Sequence, residues 1–112
     1  MKNLLLVFAA CAAISGCKDE GESFIGTWVH SEKISNTQTM TETIVVTKTD
    51  NGYQAISNTD PETWGEITFN LVPESDSSLI DADTKKKRLE LSAENKIMSY
   101  LRNKPQELTR AN

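Results

Sequence analysis

Apolar and polar residues alternate along much of this chain, and that alternation is the feature that most restricts its fold. The clearest case places Ile67, Phe69 and Leu71 on one side of a strand, with Glu66, Thr68 and Asn70 on the other. A period of two residues is typical of an antiparallel strand with one dry and one wet face. No stretch after residue 17 sustains a helical stripe. The sequence therefore predicts an all-β domain, folded as a small antiparallel meander.

Seven runs rich in β-branched and aromatic residues are predicted as strands, because turn residues separate them. They cover residues 24–31, 41–49, 53–58, 64–72, 78–81, 88–92 and 97–102. In the clearest hairpin, Asn51-Gly52 predicts a type I′ turn, since both central residues of that turn need a positive φ. Glu94-Asn95 predicts a later turn. A short helix is a further expectation for residues 105–108.

The first sixteen residues have the layout of a secretory signal peptide. Lys2 supplies a positive charge, and an unbroken apolar run of eleven residues, 4–14, follows it. A membrane-spanning helix needs about 20 apolar residues. This run is therefore too short to remain as a membrane anchor after export.

The residues that end the apolar run, Ile14-Ser15-Gly16-Cys17, resemble the lipobox of bacterial lipoproteins. The resemblance implies cleavage between Gly16 and Cys17, and an S-diacylglycerol group and an N-acyl chain on Cys17. Two or three acyl chains anchor a protein stably, whereas one holds it only marginally. Two alternatives remain: Cys11, whose preceding residues fit the lipobox less well, and an ordinary secreted protein with a spare thiol.

The residues after Cys17 bear on localisation in the envelope. In the lipoprotein family, an Asp directly after the lipidated cysteine marks retention in the inner membrane of many Gram-negative bacteria. Lys18 therefore favours the outer membrane and its periplasmic face, with Asp19 as a mild opposing signal. Residues 17–23 are predicted to be the lipidated cysteine and a polar tether with a reach of about 20 Å. Such a tether would keep the domain near the membrane surface.

The mature chain is small, acidic and poor in cysteine. Removing sixteen residues from 112 leaves 96, enough for a single domain, residues 24–112, with one modest core. Cleavage also removes Lys2 and Cys11, so the net charge changes from −4 to −5 and Cys17 has no partner for a disulfide. An acidic domain without a basic stripe argues against nucleic acid as a partner. Its membrane contact is expected to be the acyl chains.

Seven short strands can close into a small barrel or pack as a β-sandwich, and the pattern leaves both open. Gly26-Thr27-Trp28, in the first strand, resembles the Gly-x-Trp opening of lipocalin-like (calycin) barrels. The resemblance implies that Trp28 packs across the barrel floor beside an arginine of the last strand, either Arg110 or Arg102. Because the chain is shorter than a full lipocalin, side chains are expected to fill most of the interior.

Few residues are suited to catalysis or metal binding. His30 is the single histidine and the mature chain has no free cysteine, so His/Cys zinc sites and Cys-His catalysis are excluded. Asp76, Asp81 and Asp83 lie in a polar stretch without the spacing of a calcium loop. The sequence therefore predicts a protein that is not an enzyme and carries no cofactor or metal beyond the covalent lipid.

Lys85, Lys86, Lys87 and Arg88 form the one charge run that suggests an interaction patch. Four consecutive cations can meet an acidic partner, lipopolysaccharide or a phospholipid head group. The alternative is a solvated strand entry that protects a sheet edge from aggregation. Trp64, at the edge of a loop, is expected in the core, with an interface anchor as the alternative.

Two functions fit these features. The first is a protein-binding module anchored in the envelope, of the inhibitor or immunity type, which the small size, acidic charge and short tether favour. The known lysozyme-inhibitor lipoproteins usually rely on a disulfide that this mature chain cannot form, which counts against that version. The second is a lipocalin-like binder of a small hydrophobic ligand or lipid, which only Gly26-Thr27-Trp28 favours.

Overall fold

The computed structural model describes residues 20–60, 65–102 and 104–111. Eight strands form a closed antiparallel barrel, in which each strand pairs with its neighbours in sequence and the last pairs with the first. The barrel prediction is confirmed, and the sandwich alternative is wrong. A 3₁₀ turn, Glu22–Phe24, precedes the strands β1 Gly26–Ser35, β2 Gln38–Thr49, β3 Gly52–Asp60, β4 Ile67–Ser75, β5 Ser78–Asp81, β6 Lys87–Ala93, β7 Lys96–Ser99 and β8 Gln106–Ala111.

The hairpin between β2 and β3 is confirmed, but its turn differs from the predicted type. Thr49 pairs with Gly52, so Asp50 and Asn51 are the two turn residues, and neither has a positive φ. Gly52 is needed for another reason: a Cβ at this position would collide with the carbonyl oxygen of Leu71 on β4. Close approach of two backbones, rather than a type I′ turn, therefore explains this glycine.

The strand β8 is the element that the sequence pattern missed. The helix expected at residues 105–108 is wrong, because Gln106–Ala111 is extended and pairs with both β7 and β1. Its inward-facing residues are Gln106, Leu108 and Arg110, and only Leu108 is apolar. A strand with one apolar side chain shows almost no period-two signal, although it is the strand that closes the barrel.

The interior of the barrel is filled mainly by large apolar side chains. Inward and outward positions alternate along the strands, so that every strand contributes to one continuous core. The buried members of this core, each 5% exposed or less, are Phe24, Trp28, Ile44, Val46, Tyr53, Ala55, Leu71, Leu79, Leu89, Ile97, Leu101 and Leu108.

The segment before β1 packs against one end of the barrel. Gly21 is buried with a φ of 89°, and a Cβ there would lie 2.8 Å from the Tyr53 ring. The Tyr53 hydroxyl donates to the Glu20 carbonyl at 2.8 Å, and Phe24 is fully buried. Residues 20–23, predicted as part of a polar tether, are therefore part of the folded domain. Of the predicted tether, Lys18 and Asp19 lie outside the described residues.

The up-and-down topology gives the barrel two different ends. We call one of them the closed end, because the segment with the 3₁₀ turn packs against it. It carries that turn, the start of β1, the end of β8 and the β2–β3, β4–β5 and β6–β7 turns. The opposite end, called the open end, carries the β1–β2 turn and the β3–β4, β5–β6 and β7–β8 connections.

Candidate functional site

Trp28 and Arg110 meet at the closed end. The Arg110 guanidinium lies over the Trp28 ring, with its carbon 4.2 Å from the ring centroid, a cation–π geometry. It also donates to the carbonyls of Ser23 and Ile25, at 2.7 and 2.8 Å. The structure thus brings together the predicted pair, with Arg110 rather than Arg102 as the partner. This cluster fixes the segment that covers the closed end.

Gly26 is part of the same arrangement. Its φ is 135°, and a Cβ there would lie 2.7 Å from a guanidinium nitrogen of Arg110. The Trp28 indole N–H donates to the Phe24 carbonyl at 2.9 Å. Gly26 therefore leaves room for the arginine that covers the tryptophan, which gives the Gly-x-Trp spacing a physical meaning in this chain.

The basic run does not form one patch. Lys85 has a φ of 66° and donates to the Ala82 carbonyl, and Lys87 pairs with Glu90 at 3.0 Å. Arg88 turns back, pairs with Asp81 at 3.4 Å and lies 4.9 Å above the Phe69 ring. Lys86 is exposed. Three of the four cations thus have a hydrogen-bond or ion-pair partner nearby in the sequence.

The acidic loop has a structural role. Asp81 accepts the backbone N–H groups of Thr84 and Asp83, at 2.9 and 2.8 Å. These hydrogen bonds, with Arg88 nearby, hold the pKa of Asp81 below its usual range. Asp76 and Asp83 are exposed. Among the described residues, no group of three or more His, Cys, Asp or Glu side chains is placed to hold a metal ion.

An open pocket of about 570 Å³ lies at the open end of the barrel. Four charged residues contribute to its lining: Glu32, Glu42, Arg102 and Lys104. Ile67, Leu101 and Gln106 complete the lining.

The pocket rests on a buried network of charged and polar groups. Glu42 is 2% exposed and accepts from Arg102 Nε at 3.1 Å and from the Ser57 hydroxyl at 2.6 Å. Arg102 Nη2 donates to Ser57 Oγ and to the Gly65 carbonyl, at 3.0 and 3.3 Å. The Ser57 hydroxyl donates to the Glu42 carboxylate and accepts from the Arg102 guanidinium, so it bridges the two members of the ion pair.

A second polar cluster lies beside this network, since His30 pairs with Glu42 in the β1–β2 register. His30 has Nδ1 3.1 Å from the Glu107 carbonyl and Nε2 3.0 Å from the Glu32 carboxylate. Both ring nitrogens thus face acceptors, and the doubly protonated ring donates to both, whereas a neutral ring donates to one. The hydrogen bond from His30, aided by the charges of His30 and Lys104, holds the pKa of Glu32 below its usual range.

Sequence reasoning missed the open-end pocket, although one signal for it exists. Ile44 and Val46 define the inward face of β2, and the same alternation places Glu42 on that face. A carboxylate at an inward position requires a partner. The partner, Arg102, follows β7 and lies sixty residues away, so the pattern alone does not identify it.

The lipobox residues Gly16 and Cys17, and also Trp64, lie outside the described residues. Within the described ranges, no helix is long and apolar enough to cross a membrane. Comparison with protein-family models, with curated proteins and with solved structures finds no match to this chain. Its function is therefore inferred from its own residues and geometry.

Proposed function

We propose that this chain is a lipid-anchored envelope protein that binds another envelope or periplasmic protein without catalysing a reaction, as an inhibitor or immunity protein does. In this proposal Cys17 carries the lipid, and the outer membrane is the favoured location. The binding surface is the open end of the barrel, around the pocket lined by Glu32 and Lys104.

The position of the open-end pocket relative to the chain's N-terminal segment is the observation that carries this proposal. Gly21 and Phe24 are buried at the closed end, and only Lys18, Asp19 and Glu20 separate Gly21 from Cys17. Three residues reach about 10 Å when extended. A lipid on Cys17 thus holds the closed end at the bilayer, and the pocket at the other end faces away from it.

A small polar ligand is the second candidate, because the pocket volume of about 570 Å³ falls within the range of small-molecule sites. Such sites are usually lined mostly by apolar residues. Here Glu32, Glu42, Arg102 and Lys104 line the pocket, and the apolar interior below them is filled by side chains. This arrangement favours a polar ligand over the hydrophobic ligand that the lipocalin resemblance implies.

The test is photo-crosslinking of the mature lipidated protein in intact envelopes of its native host. One variant carries a photoreactive residue at Asn36, in the exposed turn at the open end, and a matched variant carries it at Asp50, in the exposed turn at the closed end. We expect a stoichiometric protein adduct from Asn36 and none from Asp50. A purified protein that carries a small molecule, with no adduct at either position, would support the second candidate.

A further inference from the structure

The first two strands extend beyond the rest of the barrel as a two-stranded arm. The ladder between β1 and β2 continues to the pair Ser35–Gln38, whereas β1 pairs with β8 only from Thr27 to Val29. Residues 33–39 are all exposed. Beyond Val29, toward the open end, β1 therefore has one edge that pairs with no other strand among the described residues.

The direction of the backbone groups along this edge follows from one hydrogen bond. The Arg110 N–H donates to the Asn95 carbonyl at 2.8 Å, toward β7. Backbone groups alternate along a strand, so Thr109, next to Arg110, faces β1 and its partner Val29 faces β8. By the same alternation, the N–H and C=O groups of Ser31 and Lys33 point to the side of β1 on which β8 lies.

The strand β8 does not continue the ladder to meet these groups. Glu107 is the residue that the register would place opposite Ser31, since Thr109 lies opposite Val29. Its carbonyl oxygen instead contacts the His30 ring at 3.1 Å. The side chain of His30 thus takes part of the space in which the next ladder pair would form, and Ser31 and Lys33 remain at an exposed edge.

The open-end pocket lies beside this edge. Glu32, which lies between Ser31 and Lys33, lines the pocket. Gln106, at the start of β8, and Lys104, just before β8, also line it. Of the carboxylates nearby, Glu42 pairs with the Arg102 guanidinium, and Glu32 contacts the His30 ring at 3.0 Å. Lys104 lines the pocket and Lys33 is exposed on the edge itself. An occupant of this edge therefore meets the ammonium groups of Lys33 and Lys104, as well as the Glu32 carboxylate.

We infer that an extended, acidic segment of the partner protein adds to β1 as a further strand, alongside Ser31 and Lys33, and places a carboxylate side chain near Lys104. This inference rests on the proposed function and specifies its partner. A row of outward N–H and C=O groups is satisfied by another extended backbone, which is the mode of β-strand addition. Alternate side chains of the added strand then face the pocket and the solvent.

The test uses a random peptide library displayed on phage and the mature lipidated protein in nanodiscs. Peptides selected on the wild type are then measured against two proline variants, Lys33→Pro and Thr39→Pro. Lys33 and Thr39 are opposite each other in the hairpin, and their outward groups point to opposite edges. Thermal unfolding of both variants verifies that the barrel is intact.

We expect the selected peptides to be acidic and to bind Thr39→Pro as they bind the wild type. Lys33→Pro should weaken binding about tenfold, because proline removes the edge N–H and its ring obstructs an added strand. Lys104→Glu should weaken binding by a similar factor, with Lys104→Arg near the wild type. Slower amide hydrogen exchange at Ser31 and Lys33 in the complex would locate the added strand.

Three results would overturn the inference. The library yields no binder; or the selected peptides bind Lys33→Pro as tightly as the wild type; or the wild type is a dimer that Lys33→Pro dissociates, in which case a second copy of this chain occupies the edge. In each case a crosslinked protein from Asn36 would still support the proposed function, so the two failures are distinguishable.

Discussion

Trp28 is held by three different contacts: the surrounding core, the hydrogen bond to the Phe24 carbonyl and the guanidinium of Arg110 above its ring. We expect Trp28→Ala to lower the free energy of unfolding by about 3–5 kcal/mol, measured by urea denaturation, because it leaves a large cavity. Ile34→Ala is the control, since Ile34 is 48% exposed, and should cost less than about 0.5 kcal/mol. A loss of under about 1 kcal/mol at Trp28 would contradict its burial.

Glu42 and Arg102 provide a second prediction at the scale of single residues. Each of the variants Glu42→Met and Arg102→Met should cost about 3–5 kcal/mol, because the remaining charge loses its partner in a site where Glu42 is 2% exposed. The double variant should cost clearly less than the two single losses added together. A double-mutant cycle on the free energy of unfolding measures this coupling. Additive losses would mean that the two groups do not interact in solution.

Asp81 links the stability of the barrel to pH. Its pKa is held below its usual range by the N–H groups of Thr84 and Asp83 and by Arg88, so the folded state favours the carboxylate. This contribution is present above the usual pKa of about 4 and is lost as the pH falls through the lower folded-state pKa. Urea midpoints should therefore fall less steeply below about pH 4 in Asp81→Asn than in the wild type. Asp76→Asn, at an exposed position, is the matched control.

At the scale of elements, β8 decides whether the sheet is closed. Leu108 is fully buried, and Leu108→Ala should cost about 2–5 kcal/mol in the free energy of unfolding. Thr109→Ala, one residue further and exposed, should change it by about 0.5 kcal/mol or less. Equal effects at the two positions would contradict an inward-facing Leu108 and hence the closing strand.

The elements also show what the sequence could and could not predict. Strands such as β4 were predictable because Ile67, Phe69 and Leu71 alternate with polar residues. The strand β8 was not, since polar Gln106 and Arg110 occupy two of its inward positions. Arg110 can face inward because the segment before β1 satisfies its guanidinium, through the carbonyls of Ser23 and Ile25. Contacts of that kind join distant parts of the chain and leave no local periodicity.

The candidate site likewise has parts that the sequence could predict and parts that it could not. The inward position of Glu42 was readable from the alternation along β2, and the resemblance of Gly26-Thr27-Trp28 to lipocalin-like barrels implied an arginine of the last strand beside Trp28. The pocket itself, and the exposed edge of β1 beside it, depend on where β8 begins relative to β1. Register between the first and last strands is set only when the barrel closes, so single-sequence patterns carry little information about it.

At the scale of the whole molecule, the proposed lipid anchor on Cys17 is the hypothesis that most needs a direct test. We expect Cys17→Ala to block lipidation and leave an uncleaved precursor with its signal segment attached, seen as slower migration and as a larger intact mass. Cys11→Ala is the matched control and should be processed normally. Normal processing of Cys17→Ala would show that Cys17 is not the lipidated residue.

In the proposed lipidated form, the packing of Gly21 against Tyr53 would also set the distance of the binding surface from the membrane. Only Lys18, Asp19 and Glu20 lie between Cys17 and the buried Gly21, so the proposed lipid on Cys17 would hold the barrel directly against the bilayer. The twelve residues of β2 extend about 40 Å, or about 30 Å above the lipid at the usual tilt of barrel strands. A partner that lies flat on the same membrane is too low to reach the arm. The proteins within reach would be soluble proteins, membrane proteins that extend at least as far from the same bilayer, and proteins anchored on the opposite side of the periplasm.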